Sequence, residues 1–164
     1  MHVHVAPDPD WDRRLDTYET AQAAEAGGMR AFVAKSFYYP TTTEARIVTN
    51  RMEQVQAVGS VTIGYGTTGG LEYAAETIEH HAKIGCKVVW FPAFDAMHCR
   101  KGIGREGGIQ ILDEHGELKQ EARDVLEVVR DYGMTVCKGH MSYPETEALF
   151  IEAANMGISK MVDT

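Results

Sequence analysis

Two histidines stand two residues apart at the start of the chain, in the segment Met1-His2-Val3-His4-Val5. On an extended strand, side chains two residues apart point to the same side, so both imidazoles can be directed at one point. Neutral imidazole is a common ligand of zinc and of other divalent metals. The pair therefore predicts part of a metal site. The alternative is that these first residues are a disordered or tag-derived terminus.

Polar residues also follow several later apolar runs. They are Lys35, Tyr65, Asp95, His98, His140 and Asp163. Because reactive groups of parallel α/β folds gather where strands end, we expect these side chains at one edge of the sheet. Taken alone, His140 is typical of a polar residue satisfied within a fold. Together with His2 and His4 it becomes a candidate third metal ligand.

Three of these residues, Asp95, His98 and Lys35, have several possible roles each. Asp95 and His98 could complete a metal shell or act as general base on a bound water, but such a pair also caps loops. Lys35 ends an apolar run, where a lysine ordinarily extends its ammonium group to solvent. Its functional alternative is an electrostatic clamp on a substrate or, if carbamylated, an anionic metal bridge.

A glycine pattern offers a competing function. Gly64-x-Gly66-x-x-Gly69 follows an apolar run and opens a predicted helix. That is the context in which backbone amides receive the pyrophosphate of a dinucleotide. Against it, the preceding strand is third in order, and the nearest acidic strand end, Asp95, lies further on than usual. The glycines equally suit a close-packed loop beneath an active site.

A structural zinc site of mixed type is a further alternative. Cys99 and Cys137 lie beside His98 and His140 in the sequence. No CxxC pair accompanies them, although such pairs are usual in zinc sites of this kind.

The elements that must position these residues alternate regularly. Besides the His2 segment, apolar runs predict strands at 31–35, 61–63, 87–91, 134–137 and 160–162. Periodic patterns predict helices over about 15–26 and 71–85, over 119–132, and from after Pro144 to Gly157. The first helix is expected to bury Leu15, Tyr18 and Ala26. The third is expected to bury Ala122, Val125, Leu126 and Val129.

Alternation of this kind implies a mostly parallel sheet of five or six strands with right-handed crossovers. The sheet is either open and doubly wound or part of a barrel. The 164 residues make a single domain, and residues 92–116 form a long, irregular, glycine-rich connection. Connections of that length are usually functional or mobile.

Composition limits the partners. A net charge of −8 argues against nucleic acid and anionic membranes, and no apolar run approaches the roughly 18 residues of a membrane span. Residues 1–30 lack the basic and apolar segments of a signal peptide, so we do not expect secretion, and three cysteines without disulfide-type spacing suit a reducing cytoplasm. We expect a cytoplasmic protein acting on a small molecule.

Several segments together resemble a family of amidohydrolase-like proteins. They are His2-Val3-His4 with Pro7-Asp8, Ala34-Lys35-Ser36 with Pro40-Thr41, Gly69-Gly70-Leu71, residues 89–95, Ile111-Leu112-Asp113, and Gly139-His140-Met141-Ser142. They follow the chain in order and cover essentially all of it.

The resemblance implies a (β/α)8 barrel with one or two divalent metals, zinc first, with manganese or iron as alternatives. It implies that His2, His4 and His140 are ligands and that Asp95 takes the fourth-strand position. The implied activity is attack of a metal-activated water on an amide, cyclic amide or ester. Lys35 and Tyr65 would bind anionic or carbonyl groups of the substrate.

The chain departs from that pattern in its length. The superfamily has a histidine after strand six and an aspartate after strand eight, whereas this sequence ends at residues 161–164, where strand six is expected. An eight-stranded barrel typically needs about 250 residues. We therefore expect an incomplete barrel: a fragment, a homo-oligomer, or a catalytically incomplete subunit whose barrel a second chain completes.

Overall fold

Parallel strands and helices alternate through residues 1–163, the part of the chain that the computed structural model describes. The strands are β1 His2–His4, β2 Ala31–Lys35, β3 Gln56–Val58, β4 Ser60–Thr62, β5 Val88–Trp90, β6 Thr135–Cys137 and β7 Met161–Val162. The helices are α1 Thr17–Ala26, α2 Thr42–Thr49, α3 Tyr65–Thr68, α4 Ala74–Lys83, α5 Met97–Gly102, α6 Gln120–Asp131 and α7 Tyr143–Asn155. Within residues 1–163, the helices are too short or too polar to cross a membrane.

The strands form two fully parallel sheets, of order β1-β2-β3 and β4-β5-β6-β7. Gly59 alone separates β3 from β4, so the two sheets meet at one interrupted strand. A Cβ at Gly59 would lie 2.5 Å from the Thr42 Cα, which explains why a glycine occupies the interruption. The predicted parallel α/β class is confirmed. The strands of residues 1–163 form no closed barrel, so the barrel stays a prediction.

Alternation along each strand separates an outer face from an inner face. On β2, Phe32 and Ala34 pack under α1 and α2, whereas Val33 packs on the other side against a cluster of Val88, Trp90 and Cys137. Since that inner cluster draws on β2, β5 and β6, the two sheets enclose a common interior.

The third predicted helix is confirmed, and the face predicted for the first one is wrong. On α6, all four expected residues are fully buried: Ala122, Val125, Leu126 and Val129. On α1, by contrast, Leu15 and Tyr18 are 41% and 42% exposed, and the buried residues are Thr17, Thr20, Ala21 and Ala24. The carboxylate of Asp16 caps the helix and places Leu15 before it, and small residues let α1 approach the sheet closely.

Thr41 joins the two sheets at the interruption. Its buried hydroxyl donates to the Ala34 carbonyl at 2.7 Å and accepts from the Ser60 N–H at 2.9 Å. We expect Thr41→Val to lower the free energy of unfolding by about 1–3 kcal/mol, because the buried Ser60 amide loses its acceptor. Urea unfolding followed by circular dichroism measures the change. The matched control is Thr43→Val at an exposed position of α2, and equal stability of the two variants would contradict this role.

Candidate functional site

Inward-facing side chains of four strands meet at the C-terminal edge of the sheets. His2 and His4 come from β1, Lys35 from β2, Trp90 from β5 and Cys137 from β6. His4 pairs in register with Lys35, and Trp90 pairs with Cys137. The His2 and Trp90 ring centroids lie 4.8 Å apart, and the Lys35 Nζ lies 3.7 Å from the Trp90 ring centroid. We call these five residues the strand-end cluster.

The histidine pair has a geometry that suits a metal ion. The ring centroids of His2 and His4 are 5.4 Å apart. Two imidazoles on one tetrahedral ion, with metal–nitrogen bonds of about 2.1 Å, have centroids roughly 5 Å apart. The Nδ1 atom of His4 is buried without a hydrogen-bond partner, which leaves it available as a ligand atom.

Electrostatics keeps both histidines neutral at pH 7. Burial, followed by the nearby Lys35 ammonium, lowers the pKa of His2 below its usual value and the pKa of His4 to about 4. Neutral imidazole is the form that binds metal, so these two side chains are in the protonation state that a divalent ion requires.

His140 lies beside this pair but is not grouped with it. The Phe37 ring packs against both, 4.6 Å from His4 and 5.7 Å from His140 between ring centroids. His140 is exposed, and its Nδ1 lies 3.7 Å from the Cys99 Sγ. Among residues 1–163, no three His, Cys, Asp or Glu side chains are grouped closely enough to hold a metal. The three-histidine shell stays a prediction.

The mixed cysteine and histidine zinc site gains no support from the geometry. Cys99 contacts His140 from α5, whereas Cys137 points into the strand-end cluster, where burial raises its pKa to about 12. The two thiols therefore belong to different surroundings.

Gly139 fixes the position of His140. The His140 N–H donates to the Pro92 carbonyl at 3.0 Å, so the segment after β6 lies directly on the end of β5. A Cβ at Gly139 would lie 2.1 Å from the Pro92 oxygen and 2.2 Å from the Phe91 oxygen. A close approach of this kind requires glycine.

Asp95 anchors two loops at the same edge. Its carboxylate accepts from the Tyr65 N–H at 2.8 Å and lies 3.5 Å from the Arg100 guanidinium. His98 is exposed on α5, and its neighbour Cys99 is the residue that reaches His140. The structure thus places Asp95 in a loop-joining role outside the strand-end cluster. General-base roles for Asp95 and His98 stay predictions.

The same carboxylate bears on the dinucleotide hypothesis. The glycine pattern leads into α3, which has only four residues, and the Tyr65 amide at its start already donates to Asp95. The dinucleotide hypothesis requires backbone amides that are free to bind a pyrophosphate. Here the Asp95 carboxylate occupies the Tyr65 amide and would repel that anion. The Tyr65 side chain is 53% exposed, as a residue that binds an incoming substrate can be.

Lys35 points inward and is only 3% exposed. The expectation that this side chain extends to solvent is therefore wrong. Its Nζ lies over the rings of Trp90 and Phe37, at 3.7 and 5.3 Å from their centroids. Burial lowers the pKa of Lys35 to about 8. Within residues 1–163 its ammonium has no carboxylate partner, since the ion pairs there involve other side chains.

Three aromatic residues border the cluster, and sequence reasoning missed them. Ring centroids are 4.7 Å apart for Trp11 and Phe94, 4.9 Å for Phe37 and Phe94, and 6.1 Å for Trp11 and Phe37. We call these three residues the aromatic rim. Phe37 and Phe94 each follow a strand by a few residues, and this common placement was the signal available in the sequence.

Parallel strand–helix units define an α/β protein, a class in which reactive groups commonly gather at the strand ends. Residues 1–164 match one family model, and the chain belongs to DUF6282, a family of unknown function. None of the curated proteins matches the chain.

Proposed function

We propose that the protein is a metal-dependent hydrolase of the amidohydrolase type, acting on an amide, cyclic amide or ester of a small molecule. The observation that carries the proposal is the neutral His2–His4 pair, with an unpartnered Nδ1 on His4, at the strand ends. The segments that resemble amidohydrolases include this pair and His140. In this proposal the fold is part of a (β/α) barrel, and the protein works in the cytoplasm, in keeping with its free cysteines.

The proposal gives each of the candidate residues a role. His2 and His4 would hold a divalent ion, zinc or else manganese or iron, with His140 as the third ligand. Such an ion would supply Lewis-acid chemistry, which activates water and polarises a carbonyl group. Asp95 or His98 transfers the proton to the leaving group, while Lys35 and Tyr65 hold the substrate.

A second candidate is a subunit that is catalytically incomplete by itself. Both edge strands, β1 and β7, line one cavity of about 340 Å³. Its walls are Met1, His2, Val33, Val88, Trp90, Thr135, Cys137 and Val162. In this case a second copy or another polypeptide pairs with the open edges and supplies the remaining ligands.

Hydrolysis assays on small amides, cyclic amides and esters test the proposal. We expect turnover that a chelator abolishes and that zinc, manganese or iron restores to at least about half of its original rate. Turnover that a chelator leaves unchanged would contradict it. Activity that appears only after a second polypeptide is added would favour the incomplete subunit.

A further inference from the structure

We propose that the ligand of this site carries a carboxylate that binds the Lys35 ammonium, with a flat apolar body that lies against the aromatic rim. If the protein is the hydrolase proposed above, this ligand is its substrate, and the substrate class is an aromatic or similarly flat carboxylate. That part of the inference rests on the proposed function. The binding itself requires no metal, so the two claims are tested separately.

The first argument is the missing counter-ion of Lys35. A lysine that is only 3% exposed is ordinarily paired with a carboxylate, because burial of an unpaired charge is unfavourable. Its Nζ lies over the ring faces of Trp90 and Phe37, 3.7 and 5.3 Å from their centroids. Ring faces attract a cation, but they accept no strong hydrogen bond. An anion from outside the described residues would complete the site.

The second argument is an unused donor on the indole ring over which that ammonium lies. Trp90, over whose ring the Lys35 Nζ lies, is 2% exposed, and its Nε1 is buried without a partner. A carboxylate has two acceptor oxygens, and ammonium and indole N–H groups are both donors. A phosphate is generally bound by several charged or backbone donors, a larger set than these two groups provide. The donors therefore favour a carboxylate.

The third argument concerns a metal on the histidine pair. Lys35 is the register neighbour of His4, so a divalent cation there would be repelled by the ammonium. An anionic group placed between the two positive charges removes this repulsion. A substrate carboxylate beside Lys35 therefore makes metal binding and Lys35 compatible in one site.

The fourth argument is the aromatic rim, which gives the apolar body a place. Trp11 is 38% exposed, and its ring centroid lies 4.7 Å from that of Phe94. Flat apolar groups stack on such rings, and exposed aromatic clusters commonly mark binding surfaces. Phe37 links the rim to the cluster, since it packs against Phe94 and lies 5.3 Å from the Lys35 Nζ.

The test is a calorimetric titration of chelator-treated protein with benzoate. We expect benzoate to bind, and both neutral benzamide and acetate, which lacks a ring, to bind at least about tenfold more weakly. Lys35→Met is expected to reduce benzoate affinity at least about tenfold. The matched control is Lys138→Met, at the same edge, where the lysine pairs with Asp163 at 2.9 Å, and this variant should bind benzoate normally.

Three results would overturn the inference: no benzoate binding, equal binding of benzoate and benzamide, or tighter binding of phenyl phosphate. These comparisons use the unmodified protein, so they decide the matter even if Lys35→Met folds poorly. Benzoate affinity that a well-folded Lys35→Met variant retains would also overturn it. Benzoate binding by a protein that holds no metal would leave this inference standing and remove the proposed hydrolase.

Discussion

Gly139→Ala is expected to lower the free energy of unfolding by about 2–4 kcal/mol and to displace His140. The added Cβ would lie 2.1 and 2.2 Å from two backbone oxygens, those of Pro92 and Phe91. Both oxygens belong to main chain at the end of β5, so neither can move aside as a flexible side chain would. The segment after β6 must therefore lift, and the bond from the His140 N–H to Pro92 is lost.

Chemical denaturation of the purified variants measures this effect. Gly102→Ala is the matched control, because a Cβ at Gly102 meets nothing within 4 Å and the backbone there is compatible with alanine. We expect the control to stay within about 0.5 kcal/mol of the unmodified protein. Equal stability of Gly139→Ala and the unmodified protein would contradict the claim that close packing at Gly139 positions His140.

Secondary structure and burial were predictable from the sequence in segments where one hydrophobic periodicity dominates. In α6, apolar residues at helical spacing alternate with charged residues, and all four positions predicted to be buried are buried. The parallel α/β class was predictable from the alternation of apolar runs with helical patterns along the chain. The short α2 and β3 were missed, because residues 42–58 carry no comparable stripe and because Gly59 divides a strand that would otherwise read as one.

The site was predictable only in part. The proximity of His2 and His4 was predictable, because side chains two residues apart on a strand point to the same side. The inward direction of Lys35 was not predictable, because residues 31–34 are apolar on both sides of the strand. The contact of Phe37 with both His4 and His140 joins segments more than 100 residues apart, and no local pattern encodes it.

The double substitution His2→Ala with His4→Ala is expected to remove bound metal almost completely. Both imidazoles are neutral, and they lie at the separation that two ligands of one tetrahedral ion have. Loss of even an outer partner of a metal ligand commonly weakens binding about 10- to 100-fold, so loss of two ligands should reduce occupancy to below about a tenth. His115→Ala is the matched control, because that imidazole is exposed on a loop.

Elemental analysis of the purified protein, together with this double variant and the His115→Ala control, tests the central claim most directly. The proposed function predicts about one divalent ion or more per chain in the unmodified protein and in the control, and almost none in the double variant. Equal metal content in all three proteins, or no metal in the unmodified protein after incubation with zinc, manganese or iron, would contradict a metal site at the His2–His4 pair.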